Sequence, residues 1–242
     1  PYSQSCPIEV VEIDLDPPSE GEVLVEVKAA GVCHSDLSTI EGIRPRPIPN
    51  VPGHEAAGIV REVGPNVSGL EVGDHVVMVF VMSCGECREC SGGRPNLCSS
   101  LMVAKSKGEL AAGGRRLHME GGVLNHAAEI SCFAEYAVVD QRSVVKVPKD
   151  VPLEDAAVFG CAVVTGVGAV LNTANVQPGR SMAVFGLGGV GLNAIQGCVT
   201  AGAEMIVAVD SNPAKLAMAK EFGATHTVNI NEVEDAAKAV KK

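Results

Sequence analysis

Four cysteines, Cys84, Cys87, Cys90 and Cys98, lie within 15 residues as C-x2-C-x2-C-x7-C, and this spacing constrains the chain more than any other feature. Thiolates this close converge on one tetrahedral Zn2+ more readily than they pair as disulfides. The residues between them, Gly85, Glu86, Arg88, Glu89, Ser91, Gly92, Gly93 and Pro95, are polar or turn-forming, as a loop folded around an ion requires. The alternative is a disulfide cluster or scattered buried thiols. A closed four-cysteine site leaves no coordination position for a substrate and is structural, so any zinc chemistry has to lie elsewhere.

The 242 residues suffice for one large domain or two small ones. Twenty-seven glycines and 3% aromatic residues favour a soluble α/β protein with tight turns over a helical bundle. The formal net charge of -10, with no basic run, excludes a general nucleic-acid surface. No unbroken stretch of 18 apolar residues occurs, so no transmembrane helix and no membrane partner are expected. PYSQSCPIEV has no basic region followed by an apolar one, so no secretory signal is visible. Nine cysteines without such a signal fit a reducing, cytoplasmic compartment and metal ligation. A first residue that is Pro suggests a trimmed chain.

Hydrophobic alternation predicts strands over 22–30, 57–63, 72–81, 133–139 and 143–147, with a glycine-rich loop over 105–122. From about residue 151 the pattern changes. Helices are expected over 153–160, 163–172, 190–201, 213–222 and 232–240, and strands over 181–185, 205–209 and 225–230. Asn212 and Asn231 are the expected N-caps, with Pro213 at the first helical position. Strands alternating with helices of this length make a parallel sheet.

Between the strand SMAVF and the helix after it stands Gly186-Leu187-Gly188-Gly189-Val190-Gly191, a G-x-G-x-x-G turn. In that context Gly186 makes the tight turn, Gly188 admits a pyrophosphate, and Gly191 allows close helix–strand packing. The helix N-terminus offers unpaired N–H groups to phosphate. Asp210 ends the next strand, 19 residues after Gly191, where a carboxylate accepts from ribose hydroxyls. Its neighbours Ser211 and Asn212 supply no cation for a 2′-phosphate, so NAD is preferred over NADP.

Cys33-His34-Ser35-Asp36, GHEAAGIVREVGPNV from Gly53, Gly160-Cys161, CGECRECSGGRPNLC and FGLGGVG together resemble the zinc-dependent medium-chain alcohol dehydrogenase family, in family order from about residue 8 to 230. The resemblance implies a mostly-β GroES-like catalytic domain over 1–162, with the structural-zinc lobe at about 84–98. A Rossmann-type parallel sheet, of which only the first half is present, follows over 163–242. It implies that Cys33, His54 and Cys161 bind a catalytic zinc, the second per subunit. Two cysteines and a histidine with an open position suit that role, the metal acting as a Lewis acid on the alcohol. Asp36 is expected to accept from the imidazole of His54 and fix its orientation. The resemblance places Glu55 beside the zinc, assisting ligand exchange, and gives Ser35 the alcohol proton. It puts His34 on the cofactor pyrophosphate, with Gly189, Val190, Thr165 and Lys215 also among the cofactor-binding residues, and Phe80 in the substrate pocket.

The chain departs from the family in two places. Ser38 stands where many members end their proton relay in a histidine, and His75, His118 and His126 do not replace it, so water completes the relay. Ala127 and Ala128 stand where some relatives carry bulkier side chains, which implies a pocket open to longer or aromatic primary alcohols. The chain ends after one half of a dinucleotide fold, so it is expected to be part of a longer protein that forms a homo-oligomer, dimer or tetramer. The reaction implied is hydride transfer between an alcohol and NAD. A glutathione-dependent formaldehyde dehydrogenase-like enzyme and a non-catalytic, zinc-stabilised dinucleotide-binding protein are the alternatives.

Overall fold

A computed structural model describes residues 8–101 and 106–241, and the chain divides into two compact units, Pro1–Cys161 and Ala162–Lys242. The first is built on a five-stranded antiparallel sheet in the order Val144–Val147, His75–Met78, Glu55–Val63, Glu22–Gly31, Tyr136–Asp140. Val23 and Val25 point from one face of Glu22–Gly31 into a core with Val60, Val76, Met78 and Val139. Each such side chain, fully buried, contributes on the order of 1.5–3 kcal/mol.

The register of this sheet positions the site. Glu22–Gly31 pairs with Glu55–Val63 so that Gly31 lies opposite Glu55, with irregularities at Leu24/Val25 and Val27/Ala29. Such bulges bend and twist a strand where pairing ends. Cys33 therefore follows the end of one strand while His54 precedes the start of its neighbour. A Cβ at Gly31 would sit 2.8 Å from Glu55 Oε2, so any larger residue there would displace the Glu55 carboxylate. Glu22, fully buried, is held by Arg116, whose Nε and Nη2 each donate to one carboxylate oxygen at 2.9 Å.

The expected strand 72–81 is shorter, His75–Met78. Gly73 at φ +90 and Asp74, which accepts from the Glu71 amide at 3.0 Å, form a turn ahead of it. Similarly, 133–139 begins pairing only at Tyr136. The loop expected over 105–122 contains the short strands Leu117–Met119 and Gly122–Val123; residue 105 lies outside the described residues.

The two helices expected over 153–160 and 163–172 are one, Leu153–Thr173, interrupted by wider π-turns at Phe159–Val163 and Ala169–Thr173. Although no unbroken apolar run of 18 residues exists, this helix is long and apolar enough, by length and composition, to cross a membrane. Its first turn packs Leu153, Ala156 and Ala157 against Ala57 and Val77. Gly160 allows the approach, since a Cβ there would collide with the Met78 carbonyl. The π-turn, a distortion frequent at functional sites, contains Cys161.

The second unit has three parallel strands in the order Ser181–Phe185, Met205–Asp210, His226–Asn229. The helices Gly189–Thr200 and Pro213–Glu221 connect them. Asn212 caps the second helix, accepting from the Ala214 amide at 2.9 Å, with Pro213 in the first turn. The last helix is shorter than expected, Ala236–Val240, and its cap is Asp235, which accepts from the Lys238 amide. Asn231 is instead within the 3-10 turn Ile230–Glu232, its side chain donating to the Ser211 carbonyl.

His126 gives this fold a measurable acid sensitivity. It is 3% exposed, and its Nε2 accepts from the Arg116 amide at 3.1 Å. Burial first, then the charges of Arg116 and Arg115, push it from 6.5 down to about 4. The unfolded chain therefore takes up a proton that the folded chain refuses, and stability falls as pH drops from about 6.5 to about 4. The loss integrates to about 3 kcal/mol at the lower limit. Denaturant unfolding between pH 7 and 4 should show His126→Gln losing that share of the pH dependence; an unchanged slope would contradict a neutral, buried His126.

Candidate metal and cofactor sites

The lobe at residues 84–98 gathers four sulfurs within 4.8 Å of one another. Cys87 Sγ lies 3.4 Å from Cys90 Sγ and 3.9 Å from Cys98 Sγ, and Cys84 Sγ lies 4.0 Å from Cys90 Sγ. A tetrahedron of Zn–S bonds of about 2.3 Å requires sulfur separations of about 3.8 Å, so the set fits the ion. Short turns Arg88–Ser91 and Pro95–Leu97 fold the chain between the cysteines. The Cys87 amide donates to Cys84 Sγ at 3.3 Å, and the Cys84 amide to Cys98 Sγ at 3.4 Å. Amides of Glu86 and Cys87 hold the Cys84 thiol down to about 6, while burial and the Cys87 sulfur push Cys90 up to about 12. Only a cation lets all four ionise together. No disulfide occurs among the described cysteines.

A second group, Cys33, His54, Glu55 and Cys161, also has ligand atoms within 4.8 Å of one another. All four belong to the first unit, delivered by the strand ends and the π-turn described above. The helix His34–Ile40 begins here, capped by Cys33, whose sulfur accepts from the Ser35 amide at 3.5 Å. Asp36, buried, closes the cap by accepting from the Cys33 amide through Oδ2 at 3.1 Å. Its Oδ1 accepts from His54 Nδ1 at 3.0 Å. With Nδ1–H committed to Asp36, Nε2 is left as the metal-binding nitrogen. Phe80 meets the His54 ring edge-on, centroids 5.0 Å apart, and restricts its rotation. Glu55 Oε1 lies 4.0 Å from His54 Nε2. Burial, then the Glu55 and Cys33 charges, raise the Cys161 thiol far above its ordinary range, a bias that a divalent cation reverses. The donor set fits zinc.

Above this group opens a cavity of about 410 Å3, lined by Ser35, Asp36, His54, Phe80, Ala127 and Ala128 among others. Ser35 Oγ sits 3.5 Å from Cys33 Sγ, facing both the cavity and the ligands. Asn96, Cys98 and Leu101 also line it, so the zinc lobe forms part of its wall. Sequence reasoning missed that contribution, and also Arg44 and Arg46, which line the same cavity. Their only signal was two arginines separated by one proline in an acidic chain. His118 pairs with Asp16 and His126 is tied to the Arg116 amide; neither lines this cavity.

In the second unit the glycine turn has the expected shape. Gly186 stands at φ +85, and its amide donates to the Val209 carbonyl at 2.8 Å. Gly188 caps Gly189–Thr200, and open space surrounds a Cβ built at either Gly186 or Gly188, as a cradle for phosphates requires. Gly191 serves a more local purpose than expected: a Cβ there would collide with the Gly186 carbonyl within the turn itself. Asp210 accepts from the Leu187 amide at 2.7 Å and the Asn212 amide at 2.9 Å. Those amides, aided by Lys215, keep its carboxyl below the ordinary range. Asp210 thus ties the turn to the neighbouring strand end while presenting an ionised carboxylate. Val190 and Thr165 are exposed, as is His34 in the first unit.

Residues 19–149 match the family model described as alcohol dehydrogenase GroES-like domain, and residues 189–242 match that described as zinc-binding dehydrogenase. The chain is 45% identical over 240 residues to S-(hydroxymethyl)glutathione dehydrogenase of Escherichia coli O1:K1, covering 99% of this chain and 65% of that protein. It is 46% identical over 224 residues to the protein of the same name from a Synechocystis species, covering 92% and 61%. The crystal structure of an alcohol dehydrogenase zinc-binding domain protein from Burkholderia ambifaria matches with a TM-score of 0.86 at 43% identity, covering 92% and 60%. Benzyl alcohol dehydrogenase from Acinetobacter calcoaceticus matches with a TM-score of 0.86 at 39% identity, covering 95% and 62%. The chain spans 61 to 65% of the length of these curated relatives.

The double role of Asp36 predicts how the second metal site fails. Asp36→Asn should weaken zinc there by about 10- to 100-fold, as loss of a partner to a ligating imidazole does, while the lobe keeps its metal. Chelator competition with zinc analysis distinguishes the two sites; equal loss from both would contradict the assignment.

Proposed function

The chain belongs to the zinc-dependent medium-chain alcohol dehydrogenase family, and from that membership we propose that its protein is an oxidoreductase transferring a hydride between an alcohol and NAD, giving an aldehyde or ketone. The observation that carries this reading is the convergence of Cys33, His54 and Cys161, with Asp36 on His54, beside a substrate-sized cavity. A binding module needs neither that donor set nor Ser35.

When bound, zinc supplies Lewis-acid polarisation of the substrate oxygen, and NAD accepts the hydride. Asp36 holds His54 with Nδ1 protonated and Nε2 available. Ser35, on the cavity wall beside Cys33, takes the hydroxyl proton and passes it outward, with water completing the path that Ser38 does not. Phe80 packs against the ligand imidazole and narrows the access of water to it. Glu55 is close enough to exchange places with a departing ligand. Gly186, Gly188, Gly189, Val190 and Gly191 cradle the dinucleotide phosphates, with His34 as a further pyrophosphate contact, and Asp210 takes the ribose hydroxyls, NAD being preferred because no cation adjoins Asp210 in sequence.

Ala127 and Ala128 support a pocket open to larger alcohols, and one structural relative is a benzyl alcohol dehydrogenase. A second reading, oxidation of a glutathione–formaldehyde adduct, draws on the names of the curated relatives. A cytoplasmic, homo-oligomeric enzyme, dimer or tetramer, completes the proposal.

The full-length protein should contain two zincs per subunit and form NADH from an alcohol panel. Cys161→Ser should lower turnover by at least about 10^3-fold, the loss of a several-kcal/mol polarising group, and leave the lobe zinc bound. One zinc and no turnover in the unaltered protein would favour a non-catalytic dinucleotide-binding protein. Ethanol and benzyl alcohol should be used with comparable kcat/KM; activity confined to two-carbon alcohols would contradict the roomier pocket.

A further inference from the structure

Two arginines in the substrate cavity have no part in the chemistry above. They lie in Gly42-Ile43-Arg44-Pro45-Arg46-Pro47, directly after the helix that carries Ser35 and Asp36. Gly42, at φ +75, turns the chain, and its amide donates to the Thr39 carbonyl at 3.1 Å. The Arg44 amide donates to the Ser38 carbonyl at 2.9 Å, which fastens the segment to the last helical turn. Pro45 and Pro47 fix φ on either side of Arg46, so little backbone freedom remains to be lost on binding.

The electrostatics of this pair are unusual for the chain. Acidic residues outnumber basic ones, 29 to 19, and Arg61, Arg115, Arg116 and Arg142 each have a carboxylate partner. Arg44 and Arg46 form no ion pair among the described residues, although both line the cavity with Ser35 and His54. Arg46 is half-buried, and burial followed by the Arg44 charge pushes its guanidinium below the ordinary value. A guanidinium does not shed its proton in a protein, so two adjacent positive charges persist there. Two carboxylates also face the cavity. Asp36 is occupied by His54 and the Cys33 amide, and the charge of buried Glu129 is felt by Arg142.

We propose that Arg44 and Arg46 form an anion-binding subsite for the far end of the substrate, so that the preferred alcohols carry a carboxylate or a phosphate. The inference rests on the dehydrogenase reading for the hydroxyl end and adds the substrate class. Two guanidiniums are matched in geometry and charge to either anion, through paired N–H donors. A cavity of about 410 Å3 has room for a chain linking the two ends.

The test uses the full-length, zinc-loaded enzyme with hexan-1-ol, 6-hydroxyhexanoate and 6-hydroxyhexyl phosphate. The ratio of kcat/KM for an anionic alcohol over hexan-1-ol should exceed one. It should fall by about 10- to 100-fold in Arg46→Gln or Arg44→Gln, the range of charge-assisted hydrogen bonds, and further in the exposed-site charge reversal Arg44→Glu. The carboxylate and phosphate arms show which anion is favoured. Calorimetric binding of 6-hydroxyhexanoate gives a second readout. Binding that depends on the arginines without turnover of any alcohol would support the subsite and contradict the dehydrogenase reading. A ratio unmoved by all three variants, including one in which both substrates lose equally, would overturn the subsite.

Discussion

Asp36 joins the two strand ends on which the site depends. One carboxylate oxygen accepts from the Cys33 amide and the other from the His54 ring, so one buried side chain sets a ligand's backbone and another ligand's tautomer. The helix His34–Ile40 starts where it does because the same carboxylate completes its cap. That helix carries Ser35 on its first turn and leads into the segment bearing Arg44 and Arg46. A carboxylate buried at this point is tolerated because each oxygen has a donor, and it orients a ligand more firmly than a neutral acceptor would.

The other half of the donor set comes from backbone geometry. Gly160 lets the helix approach the Met78 carbonyl so closely that no Cβ fits, and Gly31 leaves the Glu55 carboxylate its place on the facing strand. The π-turn then sets Cys161 within ligand distance of Cys33 and His54. The four-cysteine lobe holds its own ion-sized tetrahedron and lends Asn96 and Cys98 to the cavity wall. A zinc held in the lobe would stiffen part of the wall of the proposed substrate cavity.

Much of this was legible in the residues because local chemistry announces it. The cysteine spacing, the glycine turn between strand and helix, and Asn212 followed by Pro213 each place a feature by contacts within a few residues. The three scattered ligands became legible only through the family resemblance, since Cys33, His54 and Cys161 share no local pattern. What escaped depended on tertiary contacts. Periodicity could not show that a glycine at 160 lets the helix lie against the Met78 carbonyl, or that Asp74 turns the chain before its strand begins. Asp235 displaced Asn231 as cap because Asn231 was drawn to the Ser211 carbonyl, 20 residues away. Asp210 was expected to await a ribose, and it also holds the glycine turn through the Leu187 amide.

The chain gathers two metal-donor groups, one closed by four cysteines and one beside a cavity that leaves a coordination position for an alcohol. Cobalt exchanged for zinc in the full-length protein reports each environment by its visible absorption. Two components are expected, a four-thiolate signal indifferent to ligands and a second signal, from two thiolates and one imidazole, that shifts when an alcohol is added with NAD. A single four-thiolate spectrum, unchanged by alcohol and NAD at saturation, would contradict the open site.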